Sequence, residues 1–367
     1  MEAICKISLD AIASNYRFFL NRISPAKIIP VVKADAYGHG AIKVAGFLQD
    51  FFHPELFAVA TLEEAQALCR VYPQMQVLIF SRVFAHELPD VPPNAILTIG
   101  SMDDARSLLQ TSQTALRVHI NVNTGMNRLG LSPAEVLELL KIPQPTLNIE
   151  GIYSHFSSSD TASQATYDRQ QNRFSDIAEQ VRAAGFSGML HLSNSAAALK
   201  NGSTSYDAIR LGIGLYGYDT TPERLNETAL SPAMTLKAPL IRVHRIEADE
   251  SVSYAEKWTA TKTTNIGTLR IGYADGYNRL LTNRGYASFQ AKLYPVVGTV
   301  TMDHIMIDLG DSMIETGSEF ILMGGTQAQM KIASISDRLD TIPYEVCCSI
   351  SGRVRRIYTQ SDEIPAP

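Results

Sequence analysis

A lysine that closes an apolar run, with a tyrosine four residues later, is the arrangement in this chain best suited to covalent chemistry. It lies in the segment VVKADAYGHG at 31–40. Lys33 ends a run from 28 to 32 that reads as a buried strand, and Gly38 and Gly40 open the backbone behind Tyr37. A buried strand end is a poor place for an ammonium group that has no partner or task. Lysine gives up its charge when desolvated or when it forms an imine. Lys33 is therefore a candidate covalent catalyst. The plainer explanation is a lysine whose stem is covered and whose head reaches water, and this segment alone leaves both open.

The elements that must position such a residue can be read along the chain. Strand-like apolar runs fall at 28–33, 57–60, 77–81, 95–99, 116–122, 149–156, 189–193 and 208–216. Helical patterns lie between them. The first places Ile12, Tyr16, Phe19, Leu20 and Ile23 on one face, with Asp10 as a candidate N-cap. Thr61 with Glu64, and Ser132 with Glu135, have capping-box spacing, and Pro133 sits at a first helical position. A long helical pattern at 168–184 ends at Gly185. Eight strands alternating with helices predict a (β/α)₈ barrel over residues 1–230. A doubly wound sheet is the runner-up, since alternation does not show closure. No G-x-G-x-x-G follows the first strand, which weakens a dinucleotide site. From 231 to 367 the texture becomes β-rich, with runs at 234–246, 264–273, 291–300 and 305–309 and a helical piece at 333–339. That portion is expected to be a second, mainly β domain.

In a barrel, functional residues gather at the C-terminal ends of strands. The strand reading puts Lys33, Arg128, His155, Asn194 with Ser195, and Arg210 with Gly212 there. Each has an ordinary alternative. His155 could be a hydrogen-bonded structural histidine, Ser195 could cap a helix, and Gly212 and Gly214 could relieve packing. One barrel mouth that holds them all favours function.

Of 367 residues, 45% are hydrophobic and 19% charged, as in ordinary globular proteins. The net charge of -5 argues against nucleic acid and against a polybasic membrane anchor. No apolar run is long enough to span a bilayer, and 1–10 lacks a signal-peptide layout. Cys5, Cys69, Cys347 and Cys348 form no C-x-x-C pair or zinc spacing, so they read as free thiols of a cytoplasmic protein, with no metal implied.

Nine stretches, in order over nearly the whole chain, resemble the alanine racemase family. They are 31–40, NTGMNRLG at 123–130, GIYSHF at 151–156, HLSNSAA at 191–197, 210–217, VSY at 252–254, IGYADGY at 271–277, 298–304 and 341–354. The resemblance implies a pyridoxal phosphate (PLP) enzyme of the barrel-plus-β-domain type that interconverts L- and D-alanine. Lys33 is then the imine-forming lysine and one of two bases. Tyr254, supplied by the β domain of the other subunit in a homodimer, is the opposing base. A tyrosine is normally neutral at pH 7, so its phenolate needs nearby positive charge. Tyr37, Tyr344, Ser195, Gly212 and Ile213 are expected near the phosphate, which hydroxyls and backbone N–H groups hold well. Arg210 is expected at the pyridine nitrogen, with His155 behind it. A fixed cation there disfavours ring protonation and weakens the electron sink. Arg128 and the backbone around Met302 are expected to hold the substrate carboxylate, with Tyr273 and Asp303 near the entrance.

The chain departs from the family at three places. Asn121 stands where many members carry a carbamylated lysine, and Asn123 replaces an aspartate, so two negative charges near Arg128 are missing. Hydrogen bonds from the amides, or a small anion such as chloride, are expected to orient Arg128 instead. Thr301 stands where cysteine is frequent. Other readings are a related PLP racemase acting on serine or basic amino acids, an amino-acid decarboxylase of the same fold type, a PLP carrier without turnover, and a non-enzymatic barrel.

Overall fold

The computed structural model describes residues 2–143, 145–202, 206–224 and 226–361. The chain falls into two compact units. One comprises Ile12–Ala36 and Ala41–Ser231; the other comprises the described residues up to Ala11, Tyr37–Gly40 and those from Pro232 to Ser361. Strand β1 is Ile4–Ser8. The helix after it, Leu9–Ile23, begins before the expected position. Its first turn is capped by the Ser8 hydroxyl, which accepts from Ala11 N–H at 3.1 Å, and not by Asp10.

The first unit contains eight parallel strands. They are β2 (Lys27–Pro30), β3 (Phe57–Val59), β4 (Val77–Ile79), β5 (Ala95–Ile99), β6 (Leu116–Asn121), β7 (Leu147–Tyr153), β8 (Met189–His191) and β9 (Ala208–Leu211). Their order is β2-β9-β8-β7-β6-β5-β4-β3. A parallel bridge between Val31 and Ala58, with Val32 N–H donating to Ala58 O at 2.9 Å, joins the two ends. The sheet thus closes as a (β/α)₈ barrel, and the doubly wound alternative falls. Strands β3, β4 and β5 are buried throughout, which is why they read as short continuous apolar runs. Both capping boxes form, Thr61 with Glu64 and Ser132 with Glu135. The long helix is Gln164–Ala183, one turn longer at its start than its apolar periodicity suggests.

The second unit is mainly β. Its strands are β10 (Met234–Ile246), β11 (Thr264–Leu269), β12 (Tyr286–Phe289), β13 (Lys292–Pro295), β14 (Ile305–Gly310), β15 (Glu319–Met323) and β16 (Arg355–Thr359). β1 lies between β10, antiparallel, and β16, parallel. The long β10 also pairs with β11 and β15, so β1 and β16 are built into one sheet with them. All four cysteines are free thiols, three of them buried.

Between β2 and the helix Ala41–Phe52 the backbone makes a left-handed turn. Ala34, Asp35, Ala36 and Tyr37 all have φ near +50°, and Ala36 N–H donates to Val32 O at 2.9 Å. Such a conformation costs about 1–2 kcal/mol per non-glycine residue. Side-chain acceptors offset it. Asp35 Oδ1 accepts from Ala41 N–H at 2.8 Å. Glu64 Oε1 accepts from Ala34 N–H at 2.6 Å, while its Oε2 accepts from Ala60 N–H at 2.7 Å. The N3 residue of one helix cap thereby also fixes the residue next to Lys33. In Glu64→Gln one of those N–H groups must face an NH₂ donor, whichever way the amide turns. We expect a loss of about 2 kcal/mol in unfolding free energy and faster hydrogen exchange at 34–37. An unchanged denaturation midpoint together with unchanged exchange would mean that the turn holds without the carboxylate.

Candidate active site

Arg210, on the buried strand β9, is 3% exposed. Its Nη1 donates to His191 Nδ1 at 2.8 Å and to His191 O at 3.2 Å. Its Nη2 shares two protons among three acceptors, Ser154 O at 2.6 Å, Leu192 O at 3.0 Å and His155 Nδ1 at 3.0 Å. The guanidinium also lies over the Tyr153 ring, 5.1 Å from its centre. Arginine has donors only, so the proton positions follow. His191 Nδ1 and His155 Nδ1 must accept, and His191 in its neutral form carries its proton on Nε2. That nitrogen lies 3.0 Å from His119 Nδ1. The two rings form a directed chain that ends at His119, for which Gly151 leaves room: a Cβ at 151 would run into the His119 ring.

Burial, then the positive charges around them, keep all three histidines neutral. His119 is pushed down to about 3 by burial first, then by Arg117 and Arg210. His191 is lowered by burial and then chiefly by Arg210. His155 is lowered by burial, then by Arg210, Arg128 and Lys33. Arg210 thus keeps a fixed charge among groups that take no proton from water.

Ser195 is the first residue of the helix Ser195–Asn201, but it is not the cap. Asn194 caps, its side chain accepting from Ala197 N–H at 3.0 Å. The Ser195 hydroxyl instead accepts from Gly212 N–H at 3.0 Å and Gly214 N–H at 3.1 Å. Both lone pairs are used, so its proton is left to donate to an acceptor such as a phosphate oxygen. Gly212 leads into the buried 3₁₀ turn Ile213–Tyr216, which interrupts the expected strand. A Cβ at Gly214 would press on Phe19 and Ser195.

Arg128 is exposed at the tip of a loop closed at its neck by Asn123 N–H to Leu131 O and Leu131 N–H to Asn121 O, both 2.8 Å. The Asn123 side chain is committed to that loop. Its Oδ1 accepts from Gly125 N–H at 3.0 Å and Asn127 N–H at 3.1 Å, and its Nδ2 donates to Asn127 Oδ1 at 3.0 Å. Among the described residues neither amide, Asn121 nor Asn123, bonds to Arg128. Turn formation uses the Asn123 amide.

The remaining expected residues lie in the second unit, except Lys33, which is half-buried in the first. Tyr37 is buried, and its ring centre is 5.9 Å from that of Tyr344. Gly38, at φ +80°, faces the Cys347 carbonyl where a Cβ would clash. Tyr254 is 73% exposed and Met302 52%. Yet the backbone that carries them is braced. Thr299 Oγ1 donates to Tyr254 O at 2.7 Å, and Ser253 Oγ donates to Thr299 O at 2.7 Å. Ala274 N–H donates to Met302 O at 3.1 Å, beside the exposed Tyr273. Thr301 Oγ1 ties its own turn, accepting from His304 N–H at 3.0 Å and donating to His304 O at 2.9 Å. Asp303 pairs with Arg353 at 2.8 Å.

Sequence reasoning missed His119, His191, Tyr153 and Glu64. The signal for the first three was a polar residue inside an apolar strand. For Glu64, the capping box explained the residue and hid its second contact. The neutrality of His119 has a consequence for stability. Between pH 6.5 and about 3 the unfolded chain binds a proton there that the folded protein refuses. The folded state therefore loses about 1.4 kcal/mol per pH unit as pH falls through that window, and the contribution is fully present above it. Urea unfolding of His119→Gln between pH 6.5 and 5 is expected to show a slope shallower by that amount. A slope equal to that of the unmodified protein would show that His119 protonates while folded.

Two family models match the chain in sequence. "Alanine racemase, N-terminal domain" covers residues 7–220 and "Alanine racemase, C-terminal domain" covers 233–358. The chain is 35% identical to "Alanine racemase 1" of Clostridium acetobutylicum, over 98% of this chain and 96% of that one. It is also 35% identical to "Alanine racemase 2" of Bacillus subtilis, over 99% and 96%. The solved alanine racemase of Bartonella henselae with covalently bound pyridoxal phosphate superposes with a TM-score of 0.88 at 29% identity, covering 98% of this chain and all of that one. With both family models matched in order and full-length relatives of the same kind, the chain belongs to the alanine racemase family.

Proposed function

We propose that the protein interconverts L- and D-alanine with PLP as cofactor, and so supplies D-alanine for peptidoglycan. The observation that carries the reading is Arg210, a buried cation bonded to carbonyl oxygens and neutral imidazoles. The Ser195 hydroxyl, left with only a proton to give, fits a phosphate oxygen. Tyr37, Tyr344, Gly212 and Ile213 are assigned to the same group. When bound, PLP supplies an electron sink for charge that develops at the substrate Cα.

The chain's own residues do the rest. Lys33 tethers the cofactor and moves the Cα proton on one face. The left-handed turn behind it fixes the start of its side chain. Arg210 would face the ring nitrogen of the bound cofactor, where its fixed charge would disfavour ring protonation and so transamination. His155 orients Arg210. Arg128 and the Met302 backbone bind the carboxylate. Tyr273 and Asp303 belong to the entrance.

Tyr254 is assigned to proton transfer on the opposite face, presented by a second copy of the chain. Its exposure on a braced backbone supports this: Ser253, Ala255 and Glu256 all have φ between +47° and +69°, and strained, well-held turns are characteristic of functional sites. The protein is therefore a homodimer with shared sites in this reading. No helix among the described residues is long and apolar enough to cross a membrane, and the free thiols fit a reducing cytoplasm.

Chiral chromatography of product from L-alanine, L-serine and L-lysine tests the reaction and its substrate together. Alanine is expected to be racemised fastest. Tyr254→Phe should lower alanine racemisation roughly a thousandfold while the protein still binds PLP through Lys33, seen as visible absorbance bleached by borohydride. Full turnover in that variant would remove the two-base assignment.

Arg128 requires a second test. The two amides supply it with no negative charge, and Asn121, Arg128, Ser154 and His155 line one small cleft. An anion in that cleft is expected to orient the guanidinium. Crystals grown with bromide should show anomalous density beside Arg128; its absence would refute the anion.

A further inference from the structure

The helix Gln164–Ala183 lies outside the barrel, yet it buries a polar side chain at the barrel mouth. Gln170 is 1% exposed. Its Oε1 accepts from Ser157 N–H and from the Ser157 hydroxyl, both at 2.9 Å. Its Nε2 donates to His155 O at 3.0 Å and, at the long end of the range, to Thr124 Oγ1 at 3.4 Å. Every hydrogen-bonding site of the amide is thus used on two loops, the one that carries His155 and the one that carries Arg128.

The direction of each proton beyond Gln170 is determined. Ser154 Oγ donates its single proton to Val122 O at 2.6 Å. The 2.8 Å bond between Thr124 and Ser154 must then have Thr124 as donor. Thr124 Oγ1 in turn accepts from Gln170. One turn along the helix, Arg173 Nη1 donates to Thr124 O at 3.2 Å. Thr124 is held through both its hydroxyl and its carbonyl, four residues before Arg128. The rest of the loop beyond Thr124 is exposed or half-buried as far as Gly130, where N–H to Gly100 O at 2.9 Å pins the far side.

We propose that Gln170, with Arg173, is a positioning residue that clamps the loop 123–130 and so sets the orientation of Arg128 toward the substrate carboxylate. The inference rests on the reading of Arg128 as carboxylate anchor. It assigns to the outer helix a part in substrate binding that no residue of that helix plays by contact. The clamp works through a donor. Glutamate at 170 keeps the acceptor for Ser157 but turns a lone pair toward the His155 carbonyl, and regains a donor only when protonated.

The test uses the PLP-loaded enzyme and three variants. Gln170→Glu and Arg173→Met are each expected to raise KM for L-alanine, by roughly tenfold and threefold, with kcat changed less. Hydrogen exchange at 123–130 should quicken in both, with the amides of β6 and β7 unaffected. As pH is lowered, KM of Gln170→Glu should fall back toward that of the unmodified enzyme measured at the same pH. A purely structural glutamine would lower the melting temperature and leave KM and loop exchange as they were, and that result overturns the proposal. Arg128→Met separates the two ideas. If it raises KM while the other variants do not, the clamp is wrong. If it leaves KM unchanged, the carboxylate assignment is wrong.

Discussion

A positive charge buried in a barrel is the constraint on which the rest of the first unit depends. Arg210 cannot shed its proton, and an isolated buried charge is expensive. The cost is offset by bonds to the carbonyls of Ser154, His191 and Leu192, at or just past the ends of β7 and β8. Because those carbonyls belong to the barrel mouth, the loops that leave the mouth are shaped by the need to feed Arg210. His191 and His155 complete the shell, and the guanidinium forces their Nδ1 atoms to be acceptors. A cation therefore writes the tautomers of its neighbours, and burial prevents water from rewriting them.

The same economy recurs where side chains serve two elements at once. Glu64 closes a helix cap and holds the turn after Lys33. Asn194 caps a helix and accepts from Ser159 Oγ at 2.9 Å. Gln170 satisfies two loops with one amide. In each case a rigid helix lends its order to a segment with little of its own. Catalytic geometry tolerates errors of well under an ångström, and loops alone rarely meet that. Short strands of three to seven residues supply positions; the helices supply the precision of the connections.

Much of this was legible in the chain, because strands buried on both faces read as plain apolar runs and capping boxes have a fixed spacing. Barrel closure was not. It rests on the Val31–Ala58 bridge, a long-range pairing that no local pattern announces. Nor was the role of β1, whose partners β10 and β16 lie more than 200 residues away. Strands β12, β15 and β16 are short and partly exposed, with little alternation to mark them. The expected strand at 208–216 stops at Leu211 because Gly212 turns the chain into a 3₁₀ segment. For the site, single residues such as Lys33, His155 and Arg210 were legible from type and place. The network was not, since His119 and His191 meet only when β6 and β8 are both in place.

The loop at 123–130 shows how lost charge changes the means of orientation. Where an anionic side chain stands beside an arginine, attraction alone draws the guanidinium in, and the loop can be loose. Asn121 and Asn123 supply no such charge. Asn123 does what an aspartate also can: it accepts from two N–H groups and stabilises the turn, with Asn127 at φ +57° and Gly125 at φ +136°. What it gives up is the field at Arg128, and that field, unlike the turn, acts at a distance. Backbone placement must then carry more of the task, which makes the attachments of Thr124 matter more here than beside a charged pair. Neutral amides and a firmly held loop are thus two sides of one solution, and with Arg128 in its proposed role a substitution that loosens either should be felt first by the carboxylate of the substrate.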